Sequence, residues 1–244
     1  MNRSSLFNFK KLFSRHYLFT SFDLTILLML IYFVSDKYSF EIHILENNVT
    51  YGGKYRYLTI LGMYAVIFVM ALDFLNTNFL KNRKVKFFCN HLCPVIASVQ
   101  CVIFSMFWFL YFFYMKKLFG EDIEYVHKNH TPKYELPRHA LPLIFLLLKN
   151  LPFDVEVGIR HFAASLATAL IYTYWAYFTF TKNKKWPYPL MDDIESLETI
   201  FLIGGLLGIY GFLMTCGLNY FFCRIKMNIK NFSQKKKTKI SYLG

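Results

Sequence analysis

Uninterrupted apolar runs dominate this chain, and its charges are confined to the stretches between them. Crossing a hydrocarbon core about 30 Å thick takes about 20 mostly apolar residues in a helix. Six windows answer that description or come near it: 18–34, 57–79, 92–115, 139–153, 162–180 and 200–222. The first contains Asp23, and the fourth is short and contains Lys149. Both therefore need neighbouring helices, or a snorkelling side chain, to sit in lipid. The pattern predicts an all-α membrane protein of about six transmembrane helices. A basic N-terminus (1–16) precedes a membrane domain (17–222), and a basic tail (223–244) follows it.

Composition agrees with that pattern. Of 244 residues, 55% are hydrophobic, 20% aromatic and only 18% charged, less charge than soluble domains of this length carry. A net charge of +13 would suggest nucleic acid in a soluble protein. Here the lysines and arginines cluster at the ends of apolar runs, so the expected partners are membrane lipids and not nucleic acid. The basic first residues lead into an apolar run with no small-residue cleavage site, so no removable signal peptide is expected.

Six spans would place both termini on one side of the membrane. That side carries 4, 4, 2 and 7 lysines and arginines: in the N-terminus, in Lys81 to Lys86, at Lys149 and Arg160, and in the tail. The opposite loops carry 3, 5 and 3, nearly cancelled by acidic residues. The positive-inside rule then assigns both termini to the cytoplasm. The triplets Asn48-Val49-Thr50 and Asn129-His130-Thr131 fall in loops read as external, where glycosylation is possible, while Asn231-Phe232-Ser233 falls inside as a chance match. The membrane is expected to be the endoplasmic reticulum or the plasma membrane.

This sidedness puts Thr59, His139 and Trp186-Pro187-Tyr188-Pro189 at one outer face, so distant parts of the chain meet at one depth. A threonine hydroxyl becomes a nucleophile only with a base within hydrogen-bond reach, commonly a histidine. Thr59 and His139 could supply that pair. Equally, Thr59 could bond back to a helical carbonyl, and His139 could be a structural donor at a helix start. His127 and His130 fall in a polar loop, His43 in the first outer loop, and His16, His91 and His161 on the cytoplasmic side.

Gly52-Gly53 has no strand before it and no Gly-Lys-Ser/Thr after it, so it reads as a turn towards the membrane. Tyr55 and Tyr57 are then interfacial anchors, with Lys54 and Arg56 facing water. Trp186-Pro187-Tyr188-Pro189 reads as a rigid aromatic anchor before the last span. The five cysteines (Cys89, Cys93, Cys101, Cys216 and Cys223) lack paired zinc spacing and read as buried, inert thiols. HExxH, GxSxG and dinucleotide-binding fingerprints are absent, so no metal or cofactor is expected. Asp23, Asp73 and Lys149 do not show the paired intramembrane charges of a small transporter or channel.

The segment Tyr51-Gly52-Gly53-Lys54-Tyr55-Arg56-Tyr57-Leu58-Thr59 resembles the Tyr-Gly-Gly-x-aromatic-Lys-aromatic-Leu-Thr segment of the androgen-induced membrane protein family, which includes the androgen-dependent TFPI-regulating protein. Phe107-Trp108 with Tyr111 resembles the aromatic end of that family's third span, and Trp186-Pro187-Tyr188-Pro189 is similar to its Trp-Val-Tyr-Pro. The resemblance implies a multi-pass lipid hydrolase that cleaves fatty acid esters of hydroxy fatty acids with a threonine nucleophile and a histidine. The threonine falls on Thr59. The family's Asn-His-x-x-His-Thr is represented by Arg138-His139-Ala140-Leu141-Pro142-Leu143. Without gaps from Tyr125, His139 matches the first histidine and Pro142 the catalytic second. A three-residue shift in the preceding loop puts His139 on the catalytic one. Positions three apart share a helix face and differ by about 4.5 Å along the axis, so His139 could serve from one turn away. The alternative is a non-catalytic membrane regulator or lipid-binding protein of the same family.

Overall fold

The computed structural model describes residues 21–35, 50–115, 118, 132–150 and 153–241, with side chains as far as 228 apart from 133, 134 and 150. The basic N-terminus, the triplets at Asn48 and Asn129, and His16, His43, His127 and His130 lie outside the described residues, as do the side chains of Asn231 and of the tail's lysine run.

The described residues form helices α1 (Ser21–Val34), α2 (Leu58–Leu75), α3 (Arg83–Phe113), α4 (Pro132–His139), α5 (Leu141–Asn150), α6 (Ile159–Asn183) and α7 (Leu197–Ser241), and no strand occurs among them. α2 runs on through a π-helical stretch, Asn76–Leu80. Among the described residues three segments are long and apolar enough to cross a membrane: Leu58–Leu80, Arg83–Phe113 and Leu197–Asn228. They coincide with the second, third and sixth expected spans.

Within the described residues the other three expected spans are helical, and α5 and α6 are short or more polar. α6 has 25 residues, yet hydroxyls and ring polar groups interrupt its apolar character at Thr168, Tyr172, Thr173, Trp175, Thr179 and Thr181. α5 has ten residues, about 15 Å of helix, too little to cross alone. Its continuity with α4 is interrupted at Ala140, because Pro142 has no N–H to give the Arg138 carbonyl and its ring presses on that carbonyl. The Ala140 N–H still bonds Leu136 and its carbonyl still accepts from Ile144, both at 3.0 Å, so the two helices form one bent unit.

α3 is the central helix, packed by α2, α4, α5, α6 and α7. Its start is fixed by Asn82, whose side chain accepts the Lys84 N–H at 2.9 Å. In its apolar window 56% of residues are buried, against 22% in α7, whose Leu202, Leu206 and Leu213 face outwards as lipid-facing residues do. α3 and α7 approach at Gly211, where a side chain would overlap the Ser98 carbonyl. Close backbone approach of this kind, with Ser98 Oγ 3.3 Å from Thr215 Oγ1, is how small and hydroxyl residues join membrane helices.

The charges inside the apolar segments are paired, contrary to expectation. Lys149 Nζ of α5 lies 2.9 Å from Asp23 of α1 and 3.3 Å from Asp73 of α2, and Asp73 also takes Lys86 of α3 at 3.1 Å. Sequence separation hid the cluster, since its members are up to 126 residues apart. It supplies the neighbours that Asp23 and Lys149 need. It also stands beside a core of Ile26, Leu30, Val66, Val69, Cys93 and Leu146, so its position is that of a structural clamp.

Candidate functional site

The site begins in the turn before α2. Gly52 and Gly53 have φ of 83° and 48°, conformations that glycine adopts without steric cost. A Cβ on Gly52 would also stand 3.2 Å from Thr179 Cγ2 and 3.4 Å from the Trp175 ring. The chain then makes a 3-10 turn, Gly53–Arg56, and enters α2 at Leu58.

One face of α6 holds this turn through Tyr172, Trp175, Thr179 and Asn183, spaced three, four and four residues apart. Asn183 accepts the Tyr51 N–H at 2.8 Å and donates to the Tyr51 carbonyl at 3.0 Å. Trp175 Nε1 donates to the Tyr55 carbonyl at 2.9 Å, and the Tyr172 hydroxyl donates to the Arg56 carbonyl at 3.0 Å. The expected turn is therefore present, and two of the polar residues that made α6 a poor apolar span, Tyr172 and Trp175, help to fasten it.

Tyr188 completes the arrangement from the other side. The Leu58 N–H, one of the unpaired donors of a helix start, is taken by the Tyr188 hydroxyl at 2.9 Å and the Tyr172 hydroxyl at 3.1 Å. The Tyr188 hydroxyl lies beside the Thr59 side chain, and its ring packs edge-on against Tyr57 at 5.8 Å. Burial pushes the Tyr188 phenol above its ordinary pKa, with Tyr172, Leu58 and Thr59 opposing the shift, so it remains a neutral hydroxyl beside Thr59. Trp186 stacks on Phe180 at 4.2 Å and anchors the segment as expected. Thr59 and the Trp186-Pro187-Tyr188-Pro189 segment do meet.

Arg56 is not where the sequence suggested. It is 1% exposed and does not face water. The 3-10 turn tightens the chain after the two left-handed glycines and carries its side chain inwards, whereas Tyr55, at 47% exposure, remains an outward anchor. Arg56 Nη2 donates to the Tyr57 hydroxyl at 2.9 Å, and the guanidinium stands 5.1 Å from the Tyr57 ring centre. Its Nε and Nη1 have no hydrogen-bond partner among the described residues.

His139 ends α4, and α4 packs against α2. It is buried, and its Nδ1 lies 3.2 Å from Glu135 Oε2 and 3.2 Å from the Glu135 carbonyl. A carboxylate at that position holds the proton on Nδ1 and leaves Nε2 as the basic nitrogen. The ring stacks flat on Phe107 of α3, with centroids 3.4 Å apart and 7° between planes. Glu135 itself is 2% exposed. Sequence reading missed it, although its one signal, four residues before His139 on a helix, is plain in retrospect. No hydrogen bond joins Thr59 to His139 among the described residues.

The remaining described histidines form a separate pair. His91 Nδ1 and His161 Nε2 are 3.1 Å apart, and His161 Nδ1 accepts the Gly158 N–H. His91 and Phe107 are separated by about 24 Å along α3, so this pair takes no part in the Thr59 site.

Apolar helices with an outward-facing apolar surface and a polar cluster at one helix start define an integral membrane protein. The family model described as FAR-17a/AIG1-like protein matches residues 17–220, and the chain belongs to that family. The resemblance read from Tyr51 to Thr59 is thus borne out. Among curated proteins, the UPF0641 membrane protein YHR140W of Saccharomyces cerevisiae is 22% identical over 178 residues, covering 66% of this chain and 74% of that protein. No solved structure matches the chain.

Proposed function

We propose that this protein is a membrane-embedded carboxylic ester hydrolase, acting on fatty acid esters of hydroxy fatty acids through Thr59 and His139. The observation that carries this reading is the buried pairing of His139 Nδ1 with Glu135, on a helix packed against the one whose first turn presents Thr59. A histidine oriented by a carboxylate is the group that activates a hydroxyl nucleophile in the general arrangement.

In the proposed cycle, His139 Nε2 takes the Thr59 proton as Oγ attacks the ester carbonyl. It then gives that proton to the departing alkoxide, releasing the hydroxy acid and leaving an acyl-threonine. Water, deprotonated by the same nitrogen, attacks the acyl carbonyl. The fatty acid leaves and Thr59 regains its proton. Glu135 is a positioning residue that holds the imidazole tautomer. The neutral Tyr188 hydroxyl beside Thr59 is suited to donate to the oxyanion. The Gly53 N–H is not, because it is committed to the Thr50 carbonyl at 3.0 Å.

The same reading takes six spans with both termini cytoplasmic, in the endoplasmic reticulum or plasma membrane, with the site at the outer face. The missing Thr59–His139 hydrogen bond favours a second reading, a non-catalytic lipid-binding member of the family. Catalytic hydrogen bonds commonly tighten only with substrate in place, so turnover is the discriminating observation. Purified protein in detergent is expected to hydrolyse a branched fatty acid ester, and Thr59→Ala to abolish that activity. Undiminished hydrolysis by Thr59→Ala would sink the assignment.

A further inference from the structure

We propose that Arg56 is the carboxylate-reading residue of the Thr59 site, which selects anionic acyl lipids over neutral ones. The chemical class of ligand is a long-chain lipid carrying a free carboxylate; for turnover, this is an ester whose leaving alcohol is itself a carboxylic acid. The turnover part rests on the hydrolase reading above, whereas the binding part does not.

A guanidinium keeps its charge at any physiological pH, and burying it unpaired is strongly unfavourable. Arg56 is 1% exposed, and no carboxylate pairs with it among the described residues. Of its five N–H donors, one goes to the Tyr57 hydroxyl. The Tyr57 ring, 5.1 Å away, offers a face to the cation but no negative charge. Nε and Nη1 find no partner among the described residues. Whichever Nη2 hydrogen Tyr57 takes, the other forms a two-donor fork with Nε or with Nη1. That fork fits the two oxygens of a carboxylate.

The fork is also held in place relative to the reactive hydroxyl. Arg56 and Thr59 are three residues apart, and the backbone between them is pinned twice: Tyr172 donates to the Arg56 carbonyl, and Tyr172 and Tyr188 together take the Leu58 N–H. A chain of three residues spans at most about 11 Å, which bounds the separation of the Arg56 and Thr59 backbones. Tyr188 contacts Thr59 from one side and Tyr57 contacts Arg56 from the other, and their rings touch. The apolar remainder of such a lipid has the outward-facing side chains of α2 and α3 to lie along, among them Phe68 and Phe109.

The test uses full-length protein in nanodiscs of neutral lipid and an alkyne-tagged, photoreactive long-chain fatty acid. Its methyl ester serves as the neutral control. Wild type is expected to crosslink the acid about tenfold more than the methyl ester, the range a charge-assisted fork supplies. Excess untagged fatty acid is expected to compete, whereas an alkyl phosphate of equal chain length competes less. Arg56→Gln is expected to erase the acid preference and Arg56→Lys to restore part of it. Equal labelling of acid and methyl ester by wild type would overturn the proposal without any variant needing to fold. An unchanged preference in Arg56→Gln, or stronger competition by the alkyl phosphate, would overturn it as well. If hydrolysis is absent but the acid preference holds and depends on Arg56, the hydrolase reading fails and the carboxylate site stands.

Discussion

The proposed base, His139, is set apart from an unsupported helix-end histidine by Glu135. Its carboxylate is buried and 3.2 Å from His139 Nδ1, while Phe107 supports the ring face. Glu135→Gln keeps the shape but removes the charge that fixes the imidazole tautomer. Turnover of a branched lipid ester is expected to fall on the order of 100-fold or more, with little change in KM and no loss of thermal stability. Full activity in Glu135→Gln would remove the carboxylate from the account. His139 was legible as a candidate because few polar residues begin an apolar run. Glu135 was not, because the stretch before Pro137 has no apolar periodicity to announce a helix. Arg56 was misplaced for a different reason. The alternation Lys54-Tyr55-Arg56-Tyr57 suits an interfacial strip, and nothing local to it signals the 3-10 turn that carries Arg56 inwards.

Elements meet here through small residues and through polar side chains that look misplaced in sequence. Gly52→Ala is expected to cost about 1–2 kcal/mol from its left-handed backbone alone. The added methyl would also press on Thr179, loosening the turn from α6. Hydrogen exchange of the Tyr51, Tyr55 and Leu58 amides in a detergent micelle would report that loosening, and unchanged protection would contradict the fastening described. Gly211→Ala tests the α3–α7 approach. Overlap with the Ser98 backbone is expected to destabilise the protein by about 1–3 kcal/mol, read as a lower thermal midpoint. α2, α3 and α7 were legible because lipid demands long apolar runs of any helix that crosses it. The function of α6 was not, because a residue that fastens a loop 120 or more positions away carries no local mark.

At the scale of the whole molecule, two ends of the helical assembly hold different chemistry. One carries the Lys149, Asp23, Asp73 and Lys86 cluster, and the other carries Arg56, Thr59, Tyr188 and their neighbours. Among the described residues Lys149→Met leaves Asp23 with no lysine partner and Asp73 with Lys86 alone, and it is expected to lower stability by about 3 kcal/mol. Adding Asp23→Leu should recover part of that loss, and a double variant no more stable than the single one would argue against the clamp. The proposed sidedness predicts that Asn48 and Asn129 accept glycans in a eukaryotic membrane while tags on both termini remain cytoplasmic. Luminal tags would reverse it. The central claim is that Thr59 is the nucleophile, and covalent labelling tests it most directly. Membranes holding the full-length protein are treated with a lipophilic fluorophosphonate probe, and the labelled peptide is mapped by mass spectrometry. Wild type is expected to carry the adduct on Thr59, with labelling absent in Thr59→Ala and strongly reduced in His139→Ala. Undiminished labelling of Thr59→Ala, or an adduct mapped to another residue, would contradict the account.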